Sequence, residues 1–270
     1  MRTEPTGPTT VSLVRDFEIR SGGAVLDLPP IAQRVICFLA IHSRPVRRPF
    51  VSGSLWPDTD ERRASASLRS ALWRVPSPGG QPIVCTSSTH VWLDESVAVD
   101  VHGLIDASAT MFQPGREPPT WTEVARILLA YGHDLLTGWY DEWALAERER
   151  FRQVRLHVLD RIGERLFTDG RCDEALEVAL TVVAAEPLRE STQRLLVRIH
   201  LHEGNVAEAF RIYCAYAERL DKEVGAAPSP VMTGLLLPYC HPSRLEHHAG
   251  SATGSHGLSP ADSVVRQQPR

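Results

Sequence analysis

The spacing of apolar and polar positions changes along the chain. Val11-Ser-Leu-Val-Arg-Asp-Phe-Glu18 alternates in part, Gly22-Gly23 marks a turn, and Val25-Leu-Asp-Leu28 returns as a second strand closed by Pro29-Pro30. From Gln33 to Ser43 the period becomes helical, with Val35, Ile36, Leu39 and Ala40 on one face, until Arg44-Pro45 breaks it. A short second helix is predicted from about Pro49 to Leu55, ended by Trp56-Pro57-Asp58. A third follows, with Asp58, Thr59 or Asp60 able to cap it and Glu61 in its first turn. Ala64, Leu68, Ala71, Leu72 and Val75 share its apolar face; Arg62, Arg63, Ala66, Arg69, Ser70 and Trp73 share the other. After the loop from Pro76 to Pro82, Ile83-Val-Cys-Thr86 and His90-Val-Trp-Leu93 form a predicted hairpin around Ser87-Ser88-Thr89.

Strands, three helices and a hairpin, in that order, are the plan of an OmpR-like winged helix-turn-helix, whose third helix enters the major groove and whose hairpin is the wing. The arginine face of the third helix strengthens this reading. The bland alternative is a solvated charged face on an ordinary helix.

Beyond Asp100 the pattern is helical. Val101 to Met111 and Thr120 to Tyr131 are candidate helices around a Pro/Gly-rich loop from Gln113 to Pro119, and Trp143 to Thr168 is a long, charge-dense one. An internal repeat follows. Gly170-Arg-Cys-Asp-Glu-Ala-Leu176 aligns with Gly204-Asn-Val-Ala-Glu-Ala-Phe210 at an offset of 34 residues, the tetratricopeptide (TPR) period. Gly163, Ala175, Ala179 and Pro187 fall where paired helices need small residues and a closing proline; in the second copy Asp221 stands in the proline's place. The Ser-, Gly-, His- and Pro-rich stretch from Pro238 to Arg270 is predicted disordered, its His241, His247 and His248 incidental rather than metal-binding.

Composition narrows the function. The 270 residues are 43% hydrophobic and 23% charged, which suits a globular protein and not a disordered or collagen-like one. No apolar window reaches about 18 residues and the first ten residues lack an apolar core, so neither a membrane span nor a secretory signal is predicted. Five scattered cysteines without a CxxC pair point to neither zinc nor a disulfide framework, and to a reducing, cytoplasmic setting. The net charge of −4 hides a division: eight arginines against three acids from Ile31 to Pro82, and 15 basic against 22 acidic residues from Val97 to Leu236. No nucleophile elbow, HExxH, P-loop or GxGxxG is present, and an enzyme is not expected.

Leu55-Trp-Pro-Asp58 followed by Ala66-Ser-Leu-Arg-Ser-Ala-Leu-Trp-Arg74 resembles the helix-two to helix-three signature of the Streptomyces antibiotic regulatory protein (SARP-type) activators. Val97-Ala-Val-Asp100 is similar to the junction after their wing. His133-Asp-Leu-Leu-Thr-Gly-Trp-Tyr-Asp-Glu-Trp143 with Glu147-Arg-Glu-Arg150 resembles the opening of their bacterial transcriptional activator domain. Glu186-Pro-Leu-Arg-Glu190, Gly204-Asn205 and Val224-Gly-Ala-Ala-Pro-Ser-Pro230 resemble its later signposts, so the likeness runs from about Val11 to Leu237. It departs in two places. Arg74-Val-Pro-Ser-Pro closes the third helix where relatives often add basic residues, and no Lys or Arg occurs between Val75 and Gly115, leaving the wing without a cation of its own.

The fold expected is mixed and mostly α: a winged helix-turn-helix (α+β) followed by an all-α, TPR-like domain. The divisions are 1–10, a flexible N-terminus; 11–96, the winged helix; 97–237, the activator domain; and 238–270, a disordered tail. The resemblance implies a transcriptional activator that binds promoter direct repeats in double-stranded DNA as a homodimer, contacts RNA polymerase and controls a secondary-metabolite cluster. No cofactor or metal is implied. The alternative is a helical interaction scaffold whose winged helix no longer binds DNA. Candidate DNA-binding residues are Arg62, Arg63, Arg69 and Ser70 on the third helix, and Arg47 and Arg48 before the second. Trp73 joins them, although packing beneath the wing is the favoured reading of that residue; Trp56 is read as core.

Overall fold

A computed structural model describes residues 7–103, 105, 120, 123 and 132–240. Strands β1 (Thr9–Ser12), β2 (Glu18–Ser21) and β3 (Ala24–Val25) make an antiparallel meander. A late strand, β7 (Ala98–Val99), joins it parallel to β1 with Val11 opposite Val99, so the sheet order is β3-β2-β1-β7. The N-terminal sheet thus runs past the division read at 96/97. Asp100, just beyond, accepts from the backbone N–H groups of Leu13 and Val14 at 3.0 and 3.1 Å. Burial pushes its carboxyl above the ordinary value despite those donors.

Helix α1 spans Pro30–Ile41, not Gln33 to Ser43. The two prolines taken as a strand terminator open the helix instead, because Pro30 sits in its first turn, where proline's fixed φ fits and its missing N–H is not needed. The expected strand from Val25 to Leu28 shrinks to β3 accordingly. Helix α1 is buried on two sides. Val35, Phe38 and Leu39 face α2 (Arg48–Leu55) and α3 (Glu61–Leu72) in a core closed by Val51, Leu55, Leu68 and Val91. Ala32, Ile36, Cys37 and Ala40 face the N-terminal sheet and the helical half in the largest core among the described residues.

The hairpin of β5 (Val84–Thr86) and β6 (His90–Leu93) forms where predicted, and β4 (Val46–Arg47) adds a third strand at the edge of β6. The architecture is a winged helix-turn-helix followed by an all-α part. That part holds α4 (Glu142–Thr168), α5 (Cys172–Ala185), α6 (Glu190–His202), α7 (Val206–Val224) and the short α8 (Pro230–Gly234). Gly170 and Gly204, aligned by the sequence repeat, both take φ +77° in the turn between two helices, one residue before the N-cap of the next. A Cβ on Gly163 would lie 2.7 Å from Leu195 Cδ2, so α4 and α6 meet at that glycine. The expected helices from Val101 to Met111 and from Thr120 to Tyr131 lie mostly outside the described residues, as do the loop between them and His241, His247 and His248. Thr120 and Glu123 are described, and each side chain bonds the other's backbone N–H, at 2.8 and 3.3 Å, a capping box at the predicted start.

The two halves are joined by the segment after His133. Val14 bridges Leu135, Arg15 N–H donates to the Asp134 carbonyl at 2.8 Å, and Leu136 N–H donates to the Leu13 carbonyl at 2.9 Å. Arg148 of α4 donates to the carbonyls of Leu135, Leu136 and Trp139. Arg155, itself buried, pairs with Asp134 at 3.0 Å.

Candidate nucleic-acid interface

Helix α3 sits on the winged-helix core through Ala64, Leu68 and Ala71, all buried. Asp60 caps it, its Oδ1 accepting from Arg63 N–H at 2.9 Å, and Glu61 favours the positive end of the helix. Because 3.6 residues make a turn, fixing that face inward turns Arg62, Arg63, Arg69, Ser70 and Trp73 outward, and all five are exposed. Arg62, Arg69 and Trp73 follow one stripe, a run of about 16 Å at helical rise. Arg63 shares its charge with Asp60 at 3.3 Å. Among the described residues neither Arg62 nor Arg69 has an acid within ion-pair distance.

Arg47 and Arg48 come to the same region from the opposite side. Arg47 lies opposite His90 in the β4–β6 pairing, and Arg48 opens α2. Arg48 donates from its backbone N–H to the Thr89 carbonyl at 2.9 Å and from Nη1 to the Ser87 carbonyl at 3.3 Å. A cation therefore does stand at the wing tip. The wing's own sequence lacks one, and the pairing of β4 against β6 supplies it from 39 residues earlier in the chain. Within the turn, Ser87 Oγ accepts from the N–H groups of Thr89 and His90, which holds the tip in shape.

Between α3, the start of α2 and the wing tip lies a groove of about 620 Å³, lined by Arg47, Arg48, Ser65, Arg69, Thr89 and His90 among others. A second hollow of about 430 Å³ continues along the C-terminal end of α3, between Arg48, Arg69, Trp73 and Thr86. No carboxylate is found among the described residues lining either. Guanidinium donors, hydroxyls and an apolar ring along an open groove are the chemistry that phosphates and base edges require.

Trp73 overturns one expectation. It does not pack beneath the wing; its side chain is 91% exposed. Leu72 of α3 packs with Val84 and Leu93 of the wing strands against the winged-helix core, while Trp73 stands one residue past the end of α3 on the arginine side. Trp56 packs partly buried against the winged-helix core, as its reading had it.

The sequence did not identify the contacts that aim this surface. Arg34 of α1 pairs with Asp141 at the head of α4 and also donates to the Leu55 carbonyl at 2.9 Å. Phe38 meets Trp143 edge-on at 5.4 Å between ring centroids, and Trp143 in turn meets Trp139 at 6.0 Å. The aromatic-rich run before α4 was the available signal, but nothing in it names a partner more than a hundred residues earlier. All five cysteines are free, and the buried Cys37 thiol is pushed well above its ordinary pKa by burial. No helix among the described residues is long and apolar enough to cross a membrane.

Residues 107–236 match the family described as bacterial transcriptional activator domain. The chain is 27% identical over 194 residues to the regulatory protein AfsR of Streptomyces coelicolor, a match spanning 66% of this chain and 18% of AfsR. It therefore spans less than a fifth of that relative. Among solved structures it is similar to EmbR of Mycobacterium tuberculosis, determined in complex with a low-affinity phosphopeptide. The TM-score is 0.68 at 17% identity, covering 91% of this chain and 70% of that one. At that identity the likeness speaks for the fold.

Proposed function

We propose that this chain, a SARP-type transcriptional regulator, activates transcription by binding promoter DNA through the arginine stripe of α3 and the adjoining wing groove. The observation that carries this reading is the groove, free of carboxylates among the described residues, in which Arg47, Arg48 and Arg69 converge from three elements beside the wing tip. On this reading, Arg62, Arg69 and Ser70 on the outer face of α3 contact base edges or phosphates in the major groove, and Arg47 and Arg48 hold the backbone. Arg63, partly neutralised by Asp60, contributes less. A bidentate arginine–guanine pair is worth roughly 1–3 kcal/mol of discrimination.

One domain with so few cations binds weakly, so two protomers on a direct repeat, together with RNA polymerase held by the helical half, complete the assembly. Control of a secondary-metabolite cluster belongs to the same proposal, as do a cytoplasmic location and the domain divisions given above, with the boundary at 96/97 moved beyond β7. The acidic balance of the helical half favours the second reading, a protein-interaction scaffold that leaves DNA alone.

A pull-down of genomic fragments with the full chain at two salt concentrations separates them. Enrichment of fragments carrying a direct repeat, weakened by salt and by Arg69→Ala, supports the activator. No enrichment at either salt overturns it in favour of the scaffold.

A further inference from the structure

Beside the winged-helix groove, the turn between α1 and β4 opens into a cleft of about 550 Å³ where the two halves of the protein meet. Three arginines line it: Arg44 from the turn, Arg47 from β4 and Arg150 from α4. His42 adds a polar ring, and no carboxylate occurs among the described residues of the lining. Arg44 and Arg47 are exposed, with no acid at ion-pair distance among the described residues. Arg150 leans on Glu147 at 3.1 Å yet keeps 73% of its side chain exposed.

Three guanidinium groups around one hollow repel one another, and an anion seated there relieves that repulsion. The neighbouring surface says which anion. Arg47 lines this cleft and the α3–wing groove alike, so the two hollows adjoin through it. A duplex carries a negative charge about every 1.7 Å of its axis. One docked on α3 and the wing presents a line of phosphates along its flank, not a single anion.

We propose that Arg44 and Arg150 extend the DNA footprint across the junction by binding backbone phosphates. The helical half then touches DNA directly, through Arg150. This rests on the reading of α3 and the wing as a DNA interface. Its consequence is geometric: phosphate contacts position a protein without reading sequence. A contact from α4 fixes how the helical half is carried on the duplex.

The test uses the full chain and two probes, a duplex recovered by the pull-down and a short duplex of random sequence, titrated over a series of salt concentrations. Arg44→Ala and Arg150→Ala should each weaken binding to both probes by the same factor. Each should also reduce the slope of log K against log salt by about 0.9, and the double variant by about twice that. Arg150→Lys should keep the slope, which separates loss of charge from loss of fold, and thermal melting of each variant checks the latter. If the double variant keeps the wild-type affinity and slope while Arg69→Ala weakens binding, the extended footprint is wrong and the α3 reading stands. A change in sequence preference instead of a uniform loss also overturns the phosphate role. If the wild-type chain binds neither probe at low salt, the DNA reading itself fails and takes this inference with it.

Discussion

Arg48 holds the tip of the wing: its Nη1 donates to the Ser87 carbonyl at 3.3 Å while its backbone N–H donates to the Thr89 carbonyl at 2.9 Å. One residue therefore both shapes the hairpin end and brings a positive charge to it. Arg48→Ala keeps the backbone bond and removes the charge. We expect a uniform loss of affinity across DNA sequences and a salt slope smaller by about 0.9, with little change in melting temperature. Salt-series binding measurements check this; a changed sequence preference would move Arg48 from a backbone role to base reading.

Trp73 is 91% exposed, so its removal should scarcely touch the fold. Trp73→Ala is expected to shift stability by no more than about 0.5 kcal/mol, the usual range for surface substitutions. DNA affinity should fall at the same time. Melting curves and a binding titration on one preparation decide the matter, since a large stability loss with unchanged affinity would return Trp73 to a packing role.

Phe38 is 2% exposed and touches both the winged-helix core and Trp143. Phe38→Ala should destabilise the protein by roughly 3–5 kcal/mol, as deletion of a buried aromatic does. A double-mutant cycle with Trp143→Ala should return a coupling of about 0.5–1.5 kcal/mol for the edge-on pair. Urea unfolding of the four proteins measures both. Strict additivity would mean that the ring pair does not couple the two halves.

Gly163 sets how closely α4 and α6 approach. An added methyl group would lie 2.7 Å from Leu195 Cδ2 and 3.6 Å from Val178 Cγ1. Alanine gains up to about 1 kcal/mol of helix propensity over glycine. Overpacking costs about 1–3 kcal/mol. Leu195 is 1% exposed and has little room to yield, so the cost wins and Gly163→Ala should lower the unfolding midpoint. A raised midpoint would show that Leu195 adjusts freely.

Glu190 ties the end of the helical stack together. Burial opposes its ionisation, but Ser229 donates to it from both N–H and Oγ and Tyr216 from its hydroxyl, and its carboxyl is held below the ordinary value. The Tyr216 hydroxyl is pushed up to about 12 by burial and by the Glu190 charge. A lowered folded pKa means stability that is fully present above the unfolded value of about 4.3 and is lost as pH falls through the folded one. The wild-type chain should therefore lose more stability than Glu190→Gln between about pH 5 and pH 3. Parallel loss in both proteins would remove Glu190 from the acid response.

Residues near one another in sequence were enough to define the winged helix-turn-helix. The inward face of α3, the outward arginine stripe and the hairpin around Ser87-Ser88-Thr89 all follow from periods and turn residues within a few positions of each other. The paired glycines at 170 and 204 were legible for the same reason, since a helix stop and restart is a local event. The start of α1 was misread because two prolines end a strand and open a helix equally well.

Contacts between distant residues were decided by tertiary structure alone. β4 is two residues long, too short to leave a period, yet its pairing with β6 is what carries Arg48 to a wing that has no cation of its own. The exposure of Trp73 depends on which other side chains pack with the wing strands. Arg34 meets Asp141 and Phe38 meets Trp143 across about a hundred residues, and Arg44 and Arg150 line one cleft from as far apart in the chain. Periodicity reports which face of an element is buried, and carries no record of the partner that buries it.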